Sequence, residues 1–325
     1  MVNIKEVAEL AGVSPGTVSN VLNRPEKVSP TTRRRVEAAI EDLGFVRHAS
    51  ASTLRAGYSR TIGLSVIDIG NPFFTDVAAG VEETASALGY AVILGNSAGS
   101  RTKEERNLRV LAEQRVRGVL ITPTDEHPAR LDRLRAHDIN VVLVDHPPHR
   151  ADQCSVAVND VVGGKLAVEH LLAGGATSVA YVSGPLTIRQ CQDRFEGASR
   201  TFPGTLRLIQ MPAMTARAGE KAAQLLLDSG IPDAVFCAND LLALGVLRGL
   251  TQLGVRIPDD VALMGYDDID FASASAVSLT SIRQPTYQLG KVATELLLDE
   301  CDRPGAHAHQ QIVFQPELVV RESTR

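Results

Sequence analysis

Cysteine is scarce and scattered in this 325-residue chain: Cys154, Cys191, Cys237 and Cys301 lie far apart, with no Cys-x-x-Cys pair. A disulfide framework is therefore not expected, and a reducing compartment fits. No run of about 18 apolar residues occurs, and the N-terminal stretch carries Glu6 and Glu9 where an export signal would have an apolar core. Neither membrane insertion nor export is expected, and the expected location is cytoplasmic. Nucleotide fingerprints are missing too. Gly95 and Gly99 have the wrong spacing for a dinucleotide turn, and Gly163-Gly164-Lys165 lacks both the earlier glycine and the following hydroxyl residue of a phosphate loop. His146 and His149 flank two prolines, but no carboxylate or third ligand has a supporting spacing. No metal and no cofactor are expected. No Ser/His/Asp or Cys/His arrangement stands out, which argues against an enzyme.

What is present is a globular chain with 44% hydrophobic residues, long enough for a small domain plus a larger two-lobed one. Its formal charge of -5 is uneven: residues 1–60 hold nine Lys or Arg against six Asp or Glu, so that end is positive and the remainder carries -8. A positive end attached to an acidic body suits a polyanionic partner.

That end spells two short amphipathic helices joined by one tight turn. Ile4, Val7, Ala8 and Ala11 recur at helical spacing, Gly12 permits the turn, and Ser14 is an N-cap ahead of Pro15. In the second helix Val18, Val21 and Leu22 point inward, leaving Thr17, Ser19, Asn20 and Asn23 to face outward. Short polar side chains of this kind suit phosphate oxygens and base edges in a major groove. Any small helical hairpin would share the pattern, but the continuation narrows it. Ser29 and Pro30 open a third helix whose Val36, Ala39, Ile40 and Leu43 close a three-helix core. Arg33, Arg34 and Arg35 stand at its start, where cations oppose the helix dipole, which points to contact with a polyanion. Residues 46–61 are small and polar, with Leu54 their only large aliphatic side chain.

From Thr61 onward, short Val/Ile/Leu-rich runs alternate with helical patterns. Residues 61–67, 90–94, 118–122 and 141–145 read as buried parallel strands, with helices near Phe73, Thr102 and Pro128 between them. A second series has strands at 178–183, 234–238 and 261–265 and helices near Val161, Ala216 and Leu241. The fold class expected is α/β: an all-α helix-turn-helix headpiece plus two lobes of doubly wound parallel sheet. A ligand groove is expected between the lobes, at the strand C-terminal ends. Asn71, Phe73, Phe74, Asp145, Asn239 and Asp267 all fall there. Together they offer aromatic faces for C–H surfaces and carboxylates and amides for hydroxyls, which a small polyol ring requires.

Ile4 through Ala8, Ala11 through Ser14, Thr17-Val18-Ser19 and Val21-Leu22-Asn23 match the headpiece of the lactose-repressor (LacI/GalR) family. Later, Asn71-Pro72-Phe73-Phe74, Asn239-Asp240, Gly265 through Asp268 and Ile282 through Pro285 match its effector domain. Nearly the whole chain resembles that family. The resemblance implies a periplasmic-binding-protein-like body of residues 61–325, with one lobe of about 61–158 and 286–312 and the other of about 159–285 and 313–325. A headpiece of residues 1–46 and a hinge of 47–60 would precede it.

The same resemblance implies that the hinge forms a helix on DNA, paired with its twin in a dimer, with Leu54 as a minor-groove wedge. Two departures fall in the hinge, Arg47 where proline is frequent and Ser52 where arginine is. The resemblance also puts base choice at Pro15 and Gly16, which carry no hydrogen-bonding side chain. Discrimination then moves to Thr17, Asn20 and DNA deformability. Arg194 and Gln284 join the effector set by resemblance, which is strongest to sugar-binding members and ribose-binding periplasmic proteins. Met214 replaces a third aromatic of those proteins and His146 an arginine. The stretch after Arg194 is shorter than the family pattern, so one helix of the second lobe is expected to be short.

The expectation is a homodimeric regulator, a repressor, of double-stranded operator DNA, its affinity set by a pentose or similar monosaccharide between the lobes. A coupling of about 1–3 kcal/mol would change affinity roughly 5- to 150-fold. A nucleobase or sugar-phosphate effector, a protein co-regulator and a sugar-modifying enzyme are the alternatives.

Overall fold

The computed structural model describes residues 2–45, 59–125, 129–148 and 150–324. The chain divides into two compact units, Met1–Ser59 and Arg60–Arg325. Arg47, Ser52, Leu54 and His149 lie outside the described residues, as does the expected helix start at Pro128.

In the first unit, α1 (Ile4–Ala11) starts at Asn3, whose side chain accepts from the backbone N–H groups of Lys5 and Glu6. Gly12 ends it in the left-handed region at φ 60°, where a side chain is strained. Ser14 then caps α2 (Pro15–Asn23) by accepting from Thr17 N, and Ser29 caps α3 (Pro30–Asp42) by accepting from Thr32 N. Val7, Ala8, Ala11, Val18, Val21, Val36 and Ala39 are buried together, with Ile4, Leu22, Ile40 and Leu43 packed against them. The periodicity of three short helices thus closes on one small core.

The second unit has two parallel sheets. The first has the order β11-β5-β4-β3-β1-β2, formed by β1 (Thr61–Val66), β2 (Ala91–Asn96), β3 (Gly118–Ile121), β4 (Asn140–Val144), β5 (Ser155–Val158) and β11 (Gln311–Phe314). Helices α4 (Pro72–Ala87), α5 (Arg101–Glu113), α6 (Ala129–Arg135) and α12 (Thr286–Asp302) belong to the same stretches of chain. The second sheet has the order β7-β6-β8-β9, formed by β6 (Val179–Ser183), β7 (Arg207–Gln210), β8 (Ala234–Cys237) and β9 (Ala262–Met264). Helices α7 (Asp160–Ala173), α8 (Arg189–Thr201), α9 (Ala216–Asp228), α10 (Asp240–Gln252) and α11 (Asp270–Ala274) accompany it. A two-stranded antiparallel ribbon joins β10 (Ser281–Arg283) to β12 (Glu317–Val319). The continuous Val/Ile/Leu runs are explained by burial on both faces: β3, β5, β6 and β8 are buried along their whole length.

Three helix pairs meet at reciprocal glycines. A Cβ on Gly80 or Gly290 would stand 2.2 or 2.1 Å from a carbonyl oxygen across the α4–α12 contact. Gly164 and Gly197 do the same between α7 and α8, at 2.0 and 1.9 Å, and Gly219 and Gly245 between α9 and α10, at 2.1 and 2.0 Å. Backbones touch at these crossings, so no side chain fits. The helix expected to be short, α8, runs for 13 residues, as many as α9 and α10. It reaches back to Arg189, ahead of Arg194, and ends at Thr201, with Phe202 as its C-cap before Pro203 and Gly204.

Candidate functional site

The headpiece exposes Ser14, Pro15, Gly16, Asn20 and Asn23 on and beside α2, while Thr17 and Ser19 are half-buried. Several of these groups already have local partners. Ser14 Oγ lies 2.9 Å from Thr17 Oγ1, and Asn23 Nδ2 donates to Ser19 O at 2.7 Å. The three arginines of α3 differ from one another. Arg33 pairs with Glu37 at 2.7 Å, and Arg35 donates to the carbonyls of Ala11 and Gly12, closing the end of α1. Of the three, Arg34 alone makes neither an ion pair nor a side-chain hydrogen bond among the described residues. The arginine cluster was expected to face a polyanion, but Arg35 serves the fold, because the C-terminal carbonyls of α1 need donors.

The larger unit brings most of its expected residues to one cavity. Asn71, Phe73, Phe74, Asp145, Arg194, Met214, Asn239 and Asp267 line it, together with Ile67, Asp68, Ile188 and Gln190. It encloses about 430 Å³ of space, part of it open to solvent.

Each residue is placed by a local device. Asn71 caps α4 by accepting from Phe73 N at 3.1 Å, and its amide donates to Asp267 Oδ2 at 3.1 Å, from one sheet's helix to the other sheet's loop. The capped turn fixes the rings of Phe73 and Phe74 edge to face, with centroids 4.9 Å apart and planes at 86°. Asn239 caps α10 by accepting from Leu242 N at 2.9 Å and donates to Met214 O at 3.3 Å. Asp145 and Asp267 follow strand ends with φ of 54° and 104°. Both are strained conformations for a side-chain-bearing residue and place the two carboxylates in the cavity.

Arg194 organises the floor. Its Nε donates to Asp160 Oδ1 at 2.8 Å, its Nη1 donates to Ala238 O at 2.7 Å, and Asp267 Oδ1 lies 3.6 Å away. Its guanidinium also stacks 3.7 Å over the Tyr266 ring. Burial opposes its charge, but Asp160, Tyr266, Asp267 and Asp145 hold it protonated, well above the ordinary arginine range. Gln190, one helical turn before Arg194, donates to Asp145 Oδ2 at 2.9 Å. Burial, and then the Asp160 charge, push the Asp145 carboxyl well up, while Arg194 draws it back. Burial likewise raises Asp267 to about 6 against the pull of Arg194. Asp145 Oδ1 and Gln284 Oε1 are buried with no hydrogen-bond partner.

Two expected residues do not line the cavity. Gln284 stands behind Asp267 and donates to its Oδ1 at 2.8 Å. His146 is buried, and its Nδ1 donates to Pro147 O at 2.7 Å. Asp68, Ile188, Gln190, Asp160 and Tyr266 are additions. Of these only Gln190 had a usable signal, its spacing of four from Arg194.

A helix-turn-helix unit with an exposed polar reading face, joined to a two-sheet body with a polar cavity at its strand ends, defines a DNA-binding protein with a ligand-binding domain. Residues 3–48 match the model of bacterial regulatory proteins of the lacI family, and residues 168–324 match the periplasmic binding protein-like domain. The HTH-type transcriptional repressor PurR of Photobacterium profundum is 36% identical over 100% of this chain and 99% of its own length. The lac repressor dimer bound to operator and an anti-inducer aligns over 99% of this chain and 98% of its own, with TM-score 0.85 and 27% identity. A lacI-family regulator from Enterococcus faecalis with bound ribose covers 81% of this chain and 98% of its own, with TM-score 0.76 and 30% identity. The chain belongs to the lacI family of DNA-binding transcriptional regulators. No described helix is long and apolar enough to cross a membrane.

Proposed function

We propose that the chain is a cytoplasmic, homodimeric, non-enzymatic repressor whose operator affinity is set by a monosaccharide of pentose size held between the two sheets. The observation that carries the effector class is the ring of Asn71, Asp145, Gln190, Arg194, Asn239 and Asp267 around the Phe73–Phe74 corner. Carboxylates and amides accept from and donate to adjacent hydroxyls, and a perpendicular ring pair presents one face and one edge to a puckered C–H surface. Phosphate is disfavoured because the lining holds Asp68, Asp145 and Asp267 against one arginine that already faces Asp160. The ribose-bound relative supports this reading.

A nucleobase effector is the competing reading, supported by the whole-length similarity to the PurR repressors. In the DNA-binding half, Ser14, Pro15, Gly16, Thr17, Ser19, Asn20 and Asn23 are assigned to the operator, with residues 47–60 as hinge and Leu54 as its wedge. The dimeric lac repressor on its operator supports that assignment.

The test is a thermal-shift screen of pentoses, hexoses, sugar phosphates and free nucleobases on the full chain and on Asp267→Ala. Ligands of the folded state raise the transition by mass action. A rise with one free sugar, absent in the variant, is the expected result. A rise with a nucleobase alone transfers the site to the competing reading.

A further inference from the structure

A second cluster of chemistry-bearing groups stands at the N-terminal ends of β5 and β11, at the opposite ends of these parallel strands from the cavity. Cys154 immediately precedes β5, Glu300 lies in the last turns of α12, and His307 and His309 lie on the segment that leads from α12 into β11. One ligand atom from each of the four lies within 4.8 Å of the others. Cys154 Sγ is 3.1 Å from His307 Nε2 and 3.7 Å from His309 Nδ1. Ligand atoms about 2.0–2.3 Å from a tetrahedral metal stand roughly 3.3–3.8 Å apart, so these separations are close to those of a metal's own shell.

Hydrogen bonding leaves part of the cluster unmatched. A thiol carries one proton, yet the sulfur faces two imidazole nitrogens and also accepts from Gln310 N at 3.4 Å. His307 Nδ1 donates to Asp299 Oδ2 at 2.7 Å, which leaves the lone pair of a neutral ring on Nε2, the atom turned to the sulfur. A carboxylate that orients a histidine through its far nitrogen is the usual support of a metal-bound imidazole. Glu300 Oε2 is buried with no hydrogen-bond partner. The sulfur can donate to His307 Nε2 and accept from a protonated His309 Nδ1, but no proton reaches Glu300 Oε2, so the cluster keeps a lone-pair donor unmatched.

We propose that Cys154, Glu300, His307 and His309 bind a divalent metal ion of the zinc type. A thiolate, a carboxylate and two neutral imidazoles carry two negative charges, which a divalent cation cancels, and thiolate with imidazole is the donor set that favours zinc over calcium or magnesium. On binding, the Cys154 thiol gives its proton to solvent and its sulfur bonds the metal. The ion would pin the end of α12 to β5 and to the start of β11, which runs on towards β12 beside the second sheet. One of the strands linking the two halves would thus be anchored.

The test titrates the metal-free full-length protein with Co2+ and then Zn2+. The expected result is Co2+ binding stoichiometric with the chain, with the intense visible bands of a tetrahedral site and a sulfur-to-cobalt charge-transfer band, both erased by Zn2+. Cys154→Ser should lose the charge-transfer band. His309→Ala, at an exposed position, should weaken Zn2+ binding more than tenfold without changing the circular dichroism of the metal-free protein. Asp299→Asn should weaken it by about 10- to 100-fold. Octahedral spectra, no charge-transfer band, or Zn2+ affinity unchanged in Cys154→Ser and His309→Ala would overturn the proposal.

Discussion

Asp267→Asn should make the ligand-free protein more stable at neutral pH while removing effector binding. Asp267 is buried, accepts from Asn71 and Gln284 and lies 3.6 Å from Arg194, yet burial still lifts its carboxyl from 3.8 to about 6. The folded state therefore binds the proton more tightly than the unfolded chain. The contribution is fully present below about pH 3.8, falls as pH rises through about 6, and is then a constant penalty. At about 1.4 kcal/mol per tenfold change in proton affinity, the penalty approaches 3 kcal/mol. An amide of the same shape does not ionise. Gln284 can turn its unpartnered Oε1 towards the new N–H2 group, so the hydrogen bonding is largely retained. Urea unfolding of wild type and variant at about pH 4.5 and about pH 7.5 cancels the remote carboxylates, while Asp145 and Asp240, whose carboxyls the Asp267 charge also raises, are relieved by the same substitution and add to the effect in the same direction. The variant should gain about 1–3 kcal/mol relative to wild type between the two pH values and should lose the ligand-induced thermal shift. A difference that does not change with pH would falsify the account of Asp267 as a carboxylate held against its own charge.

Arg194→Met should cost about 3–5 kcal/mol, because it leaves Asp160 buried and unpaired, and the added change Asp160→Asn should recover part of that in a double-mutant cycle. Gly245→Ala should cost at least about 1–3 kcal/mol in urea unfolding, since its Cβ would sit 2.0 Å from Ala216 O. Gly305→Ala, with nothing within 4 Å, should stay within about 0.5 kcal/mol. In operator titrations at several salt concentrations, Arg34→Met should reduce the slope of log affinity against log salt by about one. Arg35→Met should instead speed hydrogen exchange at the end of α1, and equal salt slopes for the two variants would remove their assigned difference.

Most strands of both sheets were legible from their apolar runs, but β5, β7 and β11 were not among them, and the helices after Asn71, Ser100, Asn159, Thr215 and Asn239 begin at a capping side chain whereas those starting at Arg189, Asp270 and Thr286 do not. Asn71 and Asn239 carried both kinds of signal at once, an N-cap after a strand, which is also where open parallel sheets hold ligands. Polar residues that reach the cavity from inside a helix were harder. Gln190 sits in the first turn of α8, and its one sequence signal, a spacing of four from Arg194, does not reveal that Asp145, 45 residues away, turns back towards it. Arg35 was misread for the same reason, since its partners on Ala11 and Gly12 are 24 and 23 residues distant. The Cys154 cluster was invisible to any test of local spacing. Cys154 and His307 are 153 residues apart, and only the parallel pairing of β5 with β11 brings them together.

The same pairing logic bears on how an effector could act. Polar atoms of the cavity bond one another across the two sheets: Asn71 bonds Asp267, and Gln190 bonds Asp145. A ligand cannot simply add bonds to this ring. It must exchange them, and its net effect on closure is the difference between what it offers to each side and what the sides already offer each other. A polyol, which both donates and accepts at every hydroxyl, replaces the Asn71–Asp267 bridge without stranding either partner. An apolar ring of equal size that displaced the Asn71 and Gln190 amides would leave Asp267 Oδ2 and Asp145 Oδ2 without their donors, a cost that opposes its binding whatever its fit against Phe73 and Phe74.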